Sequence, residues 1–181
     1  MLIAITGTPG TGKTSVSKIL EKKGYKVLDL NKLALEKEFI TGKDEKRDSN
    51  IVDLDRLEKY FNDIKTERLV FIDSHLSHLI SNVDKVIILR CNPRKLKTNL
   101  DKKNWKEDKI KENIEAEILD VILSEAVTFH NIEDICEIDT SDLDIEDVAE
   151  IIIIFTKNNF KNIKNYKIGN IDWSEEILKD F

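Results

Sequence analysis

The chain is 181 residues long and 40% hydrophobic, which is enough to bury the core of one domain without disulfides or structural metals. Its formal net charge of −6 argues against a protein that coats nucleic acid through bulk electrostatic attraction. The two cysteines, Cys91 and Cys136, stand far apart in sequence, which argues against a disulfide framework and against a zinc motif.

Residues 1–5 are apolar but follow no basic region and precede no cleavage site, so they predict a strand and not a signal peptide. The longest apolar run, residues 151–155, is far too short to span a bilayer. We therefore expect a soluble, cytoplasmic protein with no membrane partner.

Short apolar runs that end in turn residues alternate with longer segments of helical length. The runs predict strands at residues 2–6, 26–30, 69–73 and 86–90, with a weaker candidate at 135–139. The longer segments predict helices at residues 13–23, 54–65, 93–102, 109–130 and 145–157. This alternation predicts one α/β domain of three layers, in which helices cover both faces of a five-stranded parallel sheet.

Two charged, apolar-poor segments interrupt the alternation, at residues 41–50 and 101–109. They are interpreted either as mobile flaps or as ordinary solvated loops. The last segment, residues 158–181, is rich in asparagine and lysine. It either orders only on a partner or packs back on the domain through Trp173, Ile177 and Phe181.

A glycine-rich loop follows the first predicted strand. Residues 7–14, Gly-Thr-Pro-Gly-Thr-Gly-Lys-Thr, match G-x-x-x-x-G-K-[ST] at every fixed position and precede an amphipathic helix. Glycines allow positive φ angles, so that successive N–H groups face one concavity that fits phosphate oxygens. Lys13 can reach the β- and γ-phosphates, and the Thr14 hydroxyl can bind Mg²⁺. We expect ATP with Mg²⁺ to contact Gly10, Thr11, Gly12, Lys13, Thr14 and Ser15.

Asp73 ends an apolar strand, which is the position of the acidic residue that holds the Mg²⁺ shell in such sites, usually through water. Alternatively, Asp73 caps a helix. In an extended segment His75 points to the same side as Asp73, where it could contact the metal waters or the γ-phosphate; a surface or capping role is the alternative. Asp73, Ser74 and His75 cannot form a hydrolase triad, because adjacent residues point to opposite faces.

The chain resembles the adenylate kinase isoenzyme 6 family in an archaeal-like form, over residues 1–157. The matching features are the glycine loop, the Asp-x-His pair at Asp73 and His75, the strand at residues 86–90 and residues 109–118. A further match is the stretch that contains Gly42, Asp44, Glu45, Asp48, Ile51 and Asp53. This combination is specific, whereas the glycine loop alone identifies only a very large superfamily.

The resemblance implies a monophosphate-binding flap at residues 29–52 and a lid over ATP at residues 102–112. It also implies reversible transfer of the terminal phosphoryl group between ATP and AMP or other nucleoside monophosphates, together with slow ATP hydrolysis. A small-subunit ribosomal protein and the pre-ribosomal particle are the implied partners, during maturation of the small-subunit RNA.

The sequence departs from the family in its phosphate clamps. Leu35 stands where the flap commonly presents an arginine, and Lys103-Asn104-Trp105 replaces the usual Arg-Gly-aromatic of the lid. Lys103 can still pair with ATP phosphate, but without the bidentate geometry of arginine. Arg90 and Arg94 either compensate as phosphate ligands or cap the strand and the helix next to them.

The weakened clamps leave three functions open. The first is a nucleoside monophosphate kinase, with Lys13, Asp73, His75 and Lys103 as its catalytic residues. The second is an ATP-hydrolysing switch in ribosome assembly with little monophosphate kinase activity, and the third is a nucleotide-binding scaffold without turnover. Direct RNA binding through Trp105 and Trp173 is a secondary hypothesis, because the net charge is acidic.

Overall fold

A computed structural model describes residues 1–45, 49–64, 68–161 and 163–177. The strands are β1 (Leu2–Thr6), β2 (Lys26–Asp29), β3 (Ile40–Asp44), β4 (Ser49–Val52), β5 (Val70–Asp73), β6 (Lys85–Arg90) and β7 (Ile135–Asp139). The helices are α1 (Lys13–Lys22), α2 (Leu30–Glu36), α3 (Leu54–Asp63), α4 (Pro93–Asp101), α5 (Glu107–Ile118), α6 (Val121–Phe129) and α7 (Ile145–Lys157). Short 3₁₀ turns lie at Ser77–Leu79, Ile132–Asp134, Lys164–Tyr166 and Ser174–Glu176.

Five strands form a parallel sheet in the order β2-β5-β1-β6-β7. Side chains alternate between its two faces, so that Leu2 and Ala4 join one apolar cluster while Ile3 and Ile5 join the cluster on the other side. Both clusters are sealed by helices, which explains why β1 and β5 are apolar along their whole length. The predicted fold class and all five predicted strands are confirmed.

The carboxyl ends of the parallel strands meet at one edge of the sheet, where ligands bind in open α/β sheets. β1 leads into the glycine loop, and β5 ends at Asp73 beside it, since Ile5 is paired with Asp73. β2 also ends at this edge, with Asp29 paired to Asp73. The topology therefore places the loop beside Asp73, which was predicted to act with it.

The prediction of one helix over residues 109–130 is wrong. The structure has two helices, α5 and α6, which are separated at Leu119 and Asp120. Asp120 adopts a left-handed backbone conformation with φ of 52°, which a right-handed helix cannot continue through. Its carboxylate pairs with the guanidinium of Arg90 on β6, so a tertiary ion pair accompanies the break.

In the segment at residues 41–50, interpreted as a flap or a solvated loop, residues 41–44 belong to β3 and residues 49 and 50 to β4, and these two strands pair antiparallel. Before it comes α2, which the sequence analysis did not predict; the Asp29 carboxylate caps it by accepting a hydrogen bond of 3.1 Å from the Lys32 backbone N–H. The other segment, at residues 101–109, contains the end of α4, a short connection at residues 102–106 and the start of α5. Asp48 of the family motif and Lys65 of the second predicted helix lie outside the described residues.

Part of the carboxy-terminal segment packs back on the domain. Lys167 forms a bridge with Cys136 on β7, and the Gly169 backbone N–H donates a hydrogen bond of 2.9 Å to Glu137. Trp173 packs against the apolar cluster of α4 and α5. Ile177, by contrast, is 55% exposed, and Phe181 lies outside the described residues. Among the described helices, none has the length and apolar character needed to cross a bilayer.

Candidate active site

The carboxyl edge of the sheet opens into a cavity of about 1050 Å³. Eight of the predicted site residues line it: Gly10, Gly12, Lys13, Thr14, Ser15, Asp73, His75 and Lys103. The ninth, Thr11, does not. Its hydroxyl donates a hydrogen bond of 3.0 Å to the Thr8 carbonyl, and its backbone carbonyl accepts one of 3.1 Å from the Thr140 hydroxyl. Thr11 therefore stabilises the loop and does not face the ligand cavity.

The loop holds the backbone form that its glycines predict. Gly7 has φ of 137° and Gly12 has φ of 99°, both in the region that favours glycine. A Cβ atom at Gly7 would lie 2.3 Å from the Leu89 carbonyl oxygen, so no side chain fits there. Gly12 is the residue before α1, and the first residues of that helix line the cavity. The N–H groups at a helix amino terminus carry partial positive charge, so this position favours binding of an anion.

Lys13 folds back over the loop. Its ammonium donates to the carbonyl oxygens of Gly7 at 2.7 Å and Thr8 at 3.0 Å. Burial lowers the pKa of Lys13 to about 8, against the opposing effect of Asp73. The loop carbonyls thus hold a cation inside the cavity, and phosphate oxygens would be stronger partners for it.

Asp73 and Thr14 supply the oxygen donors that Mg²⁺ prefers. Asp73 is only 8% exposed, and burial raises its pKa. Within the described ranges, no cluster of three or more His, Cys, Asp or Glu residues is placed to hold a metal ion unaided. This sparse donor set fits Mg²⁺, which keeps several waters and binds phosphate oxygens besides one or two protein ligands.

His75 lies on the cavity wall two residues beyond Asp73, on the side that the sequence predicted. Its ring is exposed within the open cavity. The cavity walls shield the ring from water, and this desolvation is the main cause that lowers the pKa of His75. The nearby ammonium of Lys13 lowers it further, so the neutral ring is favoured. A neutral imidazole can accept a hydrogen bond from a metal-bound water or donate one to a phosphate oxygen.

One wall of the cavity, which we call the lid wall, consists of Asn99, Lys103, Trp105, Lys109 and Asn113. The ammonium groups of Lys103 and Lys109 lie 5.2 and 4.4 Å from the ring centre of Trp105. Asn99 donates a hydrogen bond of 3.1 Å to the Gly10 carbonyl and so ties α4 to the loop. Lys109 was missed by the sequence analysis, although its place in the charged segment beside Trp105 was a usable signal.

The facing wall, which we call the flap wall, contains Asn31, Ile40, Ser49, Asn50 and Val52. Of the residues that the structure describes in this wall, none carries a positive charge. Leu35, which replaces the family arginine, is 58% exposed and does not line the cavity. Arg47 lies outside the described residues.

Arg90 and Arg94 do not line the cavity, so the hypothesis that they replace the missing clamp is not supported. Arg90 is buried, where its Nε atom lies 2.8 Å from Glu117 and its other nitrogens pair with Glu137 and Asp120. Arg94 lies 3.2 Å from Glu176 in the carboxy-terminal segment. A buried guanidinium surrounded by carboxylates is a structural group, because leaving the cluster would cost it all of these partners.

Comparison with known proteins assigns the chain to a family. A family model described as an AAA domain matches residues 3–120. A Methanocaldococcus jannaschii protein named "Putative adenylate kinase" is 42% identical over 180 residues, which cover 98% of this chain and 96% of that protein. An Archaeoglobus fulgidus protein of the same name is also 42% identical over 180 residues, which cover 98% of this chain and 94% of its own.

Among solved structures, the shikimate kinase from Acinetobacter baumannii in complex with shikimate superposes with a TM-score of 0.58 at 15% identity. The match covers 87% of this chain and 93% of that one, and at this identity it establishes the fold alone. Together with the near full-length archaeal relatives, these findings confirm the resemblance seen in the sequence. The chain is a P-loop kinase, and it belongs to the archaeal adenylate kinase family that these relatives represent.

Proposed function

We propose that the protein is a nucleoside monophosphate kinase, which transfers the terminal phosphoryl group of ATP to AMP or to another nucleoside monophosphate. One observation carries this proposal: a single cavity is lined by the phosphate loop and by residues of both the lid wall and the flap wall. The lid wall carries two lysines, although Glu112 also lines the cavity there. The flap wall carries no cation among its described residues, and Asp29 lines the cavity within the same predicted flap. A cavity with two walls around one phosphate loop suits two nucleotides whose phosphates meet at the loop.

In this proposal the residues position the substrates and neutralise charge, and no covalent intermediate is needed. Lys13 leaves the carbonyls of Gly7 and Thr8 for the β- and γ-phosphates, while Lys103 approaches from the lid wall. An oxygen of the acceptor monophosphate forms the new bond to the γ-phosphorus as the bond to the ADP oxygen breaks. When bound through Thr14 and, by way of water, Asp73, Mg²⁺ would withdraw charge from the phosphate oxygens.

His75 is assigned a supporting role. Because the surrounding cavity walls and Lys13 favour its neutral form, it adds no charge to the site and instead offers a hydrogen bond beside Asp73. The position of the ring in the cavity supports contact with the γ-phosphate or with a water of the metal shell.

The test is ADP formation by the purified protein with Mg·ATP and each of AMP, GMP, CMP and UMP. We expect at least one monophosphate to raise the rate well above that with ATP alone. A rate that is unchanged by all four would overturn the proposal.

A second candidate is an ATP-hydrolysing switch in small ribosomal subunit assembly, with slow ATPase activity and a ribosomal protein as partner. The neutral flap wall favours it, because the described part of that wall offers no cation to the phosphate of an acceptor. The support for a ribosomal partner is the family resemblance in the sequence. ATP hydrolysis that ignores monophosphates but changes when a purified small-subunit protein is added would favour the switch over the kinase.

A further inference from the structure

A buried histidine connects the strand before the phosphate loop to a carboxylate in the cavity. His78 has no exposed surface; its Nδ1 lies 2.9 Å from the Thr6 hydroxyl and its Nε2 lies 3.0 Å from Glu125 on α6. An ionised carboxylate only accepts hydrogen bonds, so Nε2 donates to Glu125 and Nδ1 accepts from Thr6. His130 bonds to the carbonyl oxygen of His78 at 2.7 Å. The histidine is thereby fixed from several sides, and it holds Glu125 in one orientation.

This hydrogen bond leaves one oxygen of the Glu125 carboxylate able to accept another. Its side chain is 49% exposed and lines the same cavity as the phosphate loop. His78 engages the Oε2 atom, and within the described part of the chain the Oε1 atom has no partner. A carboxylate that is oriented by a buried donor and still has an acceptor oxygen open to the cavity is suited to read a donor group on a ligand.

Aliphatic side chains line the same cavity as this carboxylate. Ile40, Val52, Leu76 and Ile122 line the cavity and pack on the same apolar cluster of the core. Trp105 of the lid wall packs on a different cluster, which is formed by α4 and α5. Ala126, which follows Glu125 on α6, belongs to the cluster on which Ile40 and Val52 pack, so we assign Glu125 to the flap side of the cavity, where apolar surfaces can pack against a flat aromatic base.

We propose that Glu125 reads the base of the monophosphate by accepting a hydrogen bond from its exocyclic amino group. The site would then prefer bases with an amino group at this edge, such as adenine, over bases with a keto oxygen there. The reason is that a carboxylate has no proton to donate, so a keto oxygen facing it would be unpaired and repelled. This inference rests on the proposed function, because it assigns the flap side to the monophosphate.

The test compares AMP with inosine 5′-monophosphate, which carries a keto oxygen where AMP has its amino group. Calorimetric titration of each into the full-length protein, without ATP, gives two dissociation constants and needs no turnover. We expect the wild-type protein to bind AMP more tightly by roughly 10- to 100-fold, as for a hydrogen bond to a charged group.

In Glu125→Gln this preference should shrink to about onefold or reverse, because an amide can also donate to a keto oxygen. The matched control is Glu150→Gln on α7. Glu150 is 50% exposed and, like Glu125, is bound to a nitrogen of another side chain, here that of Lys23, but it does not line the cavity. This control should keep the wild-type preference, which separates base reading from a general effect of losing one surface charge.

The outcomes separate this inference from the kinase proposal. If AMP and inosine 5′-monophosphate bind equally to the wild-type protein, or if Glu125→Gln keeps the wild-type preference, the role of Glu125 is overturned even when phosphoryl transfer occurs. If the preference exists and depends on Glu125 but no monophosphate is phosphorylated, base reading stands and the kinase proposal falls. If neither monophosphate binds, the role of Glu125 is overturned, whereas the kinase proposal falls only if none of the four monophosphates raises the rate of ADP formation.

Discussion

The hydroxyl of Thr8 in the phosphate loop donates a hydrogen bond of 2.5 Å to the carboxylate of Glu117 on α5. The same carboxylate accepts from Nε of Arg90 at 2.8 Å and from the backbone N–H of Cys91 at 3.1 Å. Thr8, Arg90 and Glu117 are each 2% exposed. One buried carboxylate therefore joins the phosphate loop, the end of β6 and the helix that follows the lid segment.

We expect Glu117→Ala to lower the free energy of unfolding by on the order of 3 kcal/mol, since it leaves part of the charge of Arg90 uncompensated in the core. Urea denaturation followed by circular dichroism measures this loss. The control is Glu115→Ala on the same helix, where the glutamate side chain is 58% exposed, and we expect a change within about 0.5 kcal/mol. Equal unfolding midpoints for the two variants would contradict a structural role for the carboxylate.

Lys13→Ala should reduce the rate of phosphoryl transfer at saturating substrate by on the order of 10²- to 10³-fold, because a preorganised cation is lost from the phosphates. The control is Lys18→Ala, which removes an exposed lysine from the same helix. It should keep the wild-type rate in the same coupled assay. Wild-type turnover in Lys13→Ala would show that Lys13 is not part of the catalytic machinery.

The affinity for ATP should depend on pH through Lys13. Burial lowers the pKa of Lys13 to about 8, so below that pH the ammonium is already present to pair with phosphate. Above it, binding must first take up a proton, which costs up to about 1.4 kcal/mol, or about tenfold in affinity, per pH unit. We therefore expect the dissociation constant for Mg·ATP to rise as the pH increases through 8.

Calorimetry in two buffers of different ionisation enthalpy measures that proton directly. Near pH 9 the wild-type protein should take up a substantial fraction of one proton per ATP, whereas Lys13→Met should take up much less. Equal proton uptake by both proteins would assign the titration to another group.

The lid lysines should contribute to turnover. Lys103→Ala and Lys109→Ala each remove a cation that lies against Trp105 in the cavity, and we expect each to lower the rate by about tenfold or more. Lys106→Ala is the control, because this exposed lysine lies between them in sequence and does not line the cavity. If all three variants turn over at one rate, the lid wall does not act through its positive charge.

Local sequence determined the phosphate loop and the strands. Gly7 and Gly12 have positive φ angles, which other residues adopt only at an energetic cost. The residues of β1 are apolar because helices cover both faces of the sheet. Such constraints act on a residue through its near neighbours in the chain. They were therefore readable without a structure, together with the position of Asp73 at the end of its strand.

Tertiary structure decided the features that depend on partners distant in sequence. The break between α5 and α6 is accompanied by the pairing of Asp120 with Arg90, which lies 30 residues earlier. That pairing also leaves Arg90 in the core and not in the cavity. Glu125 lines the cavity and is hydrogen bonded to His78, which lies 47 residues away in sequence. A side chain takes such a partner only when the whole fold brings the two together, so sequence spacing alone could not show it.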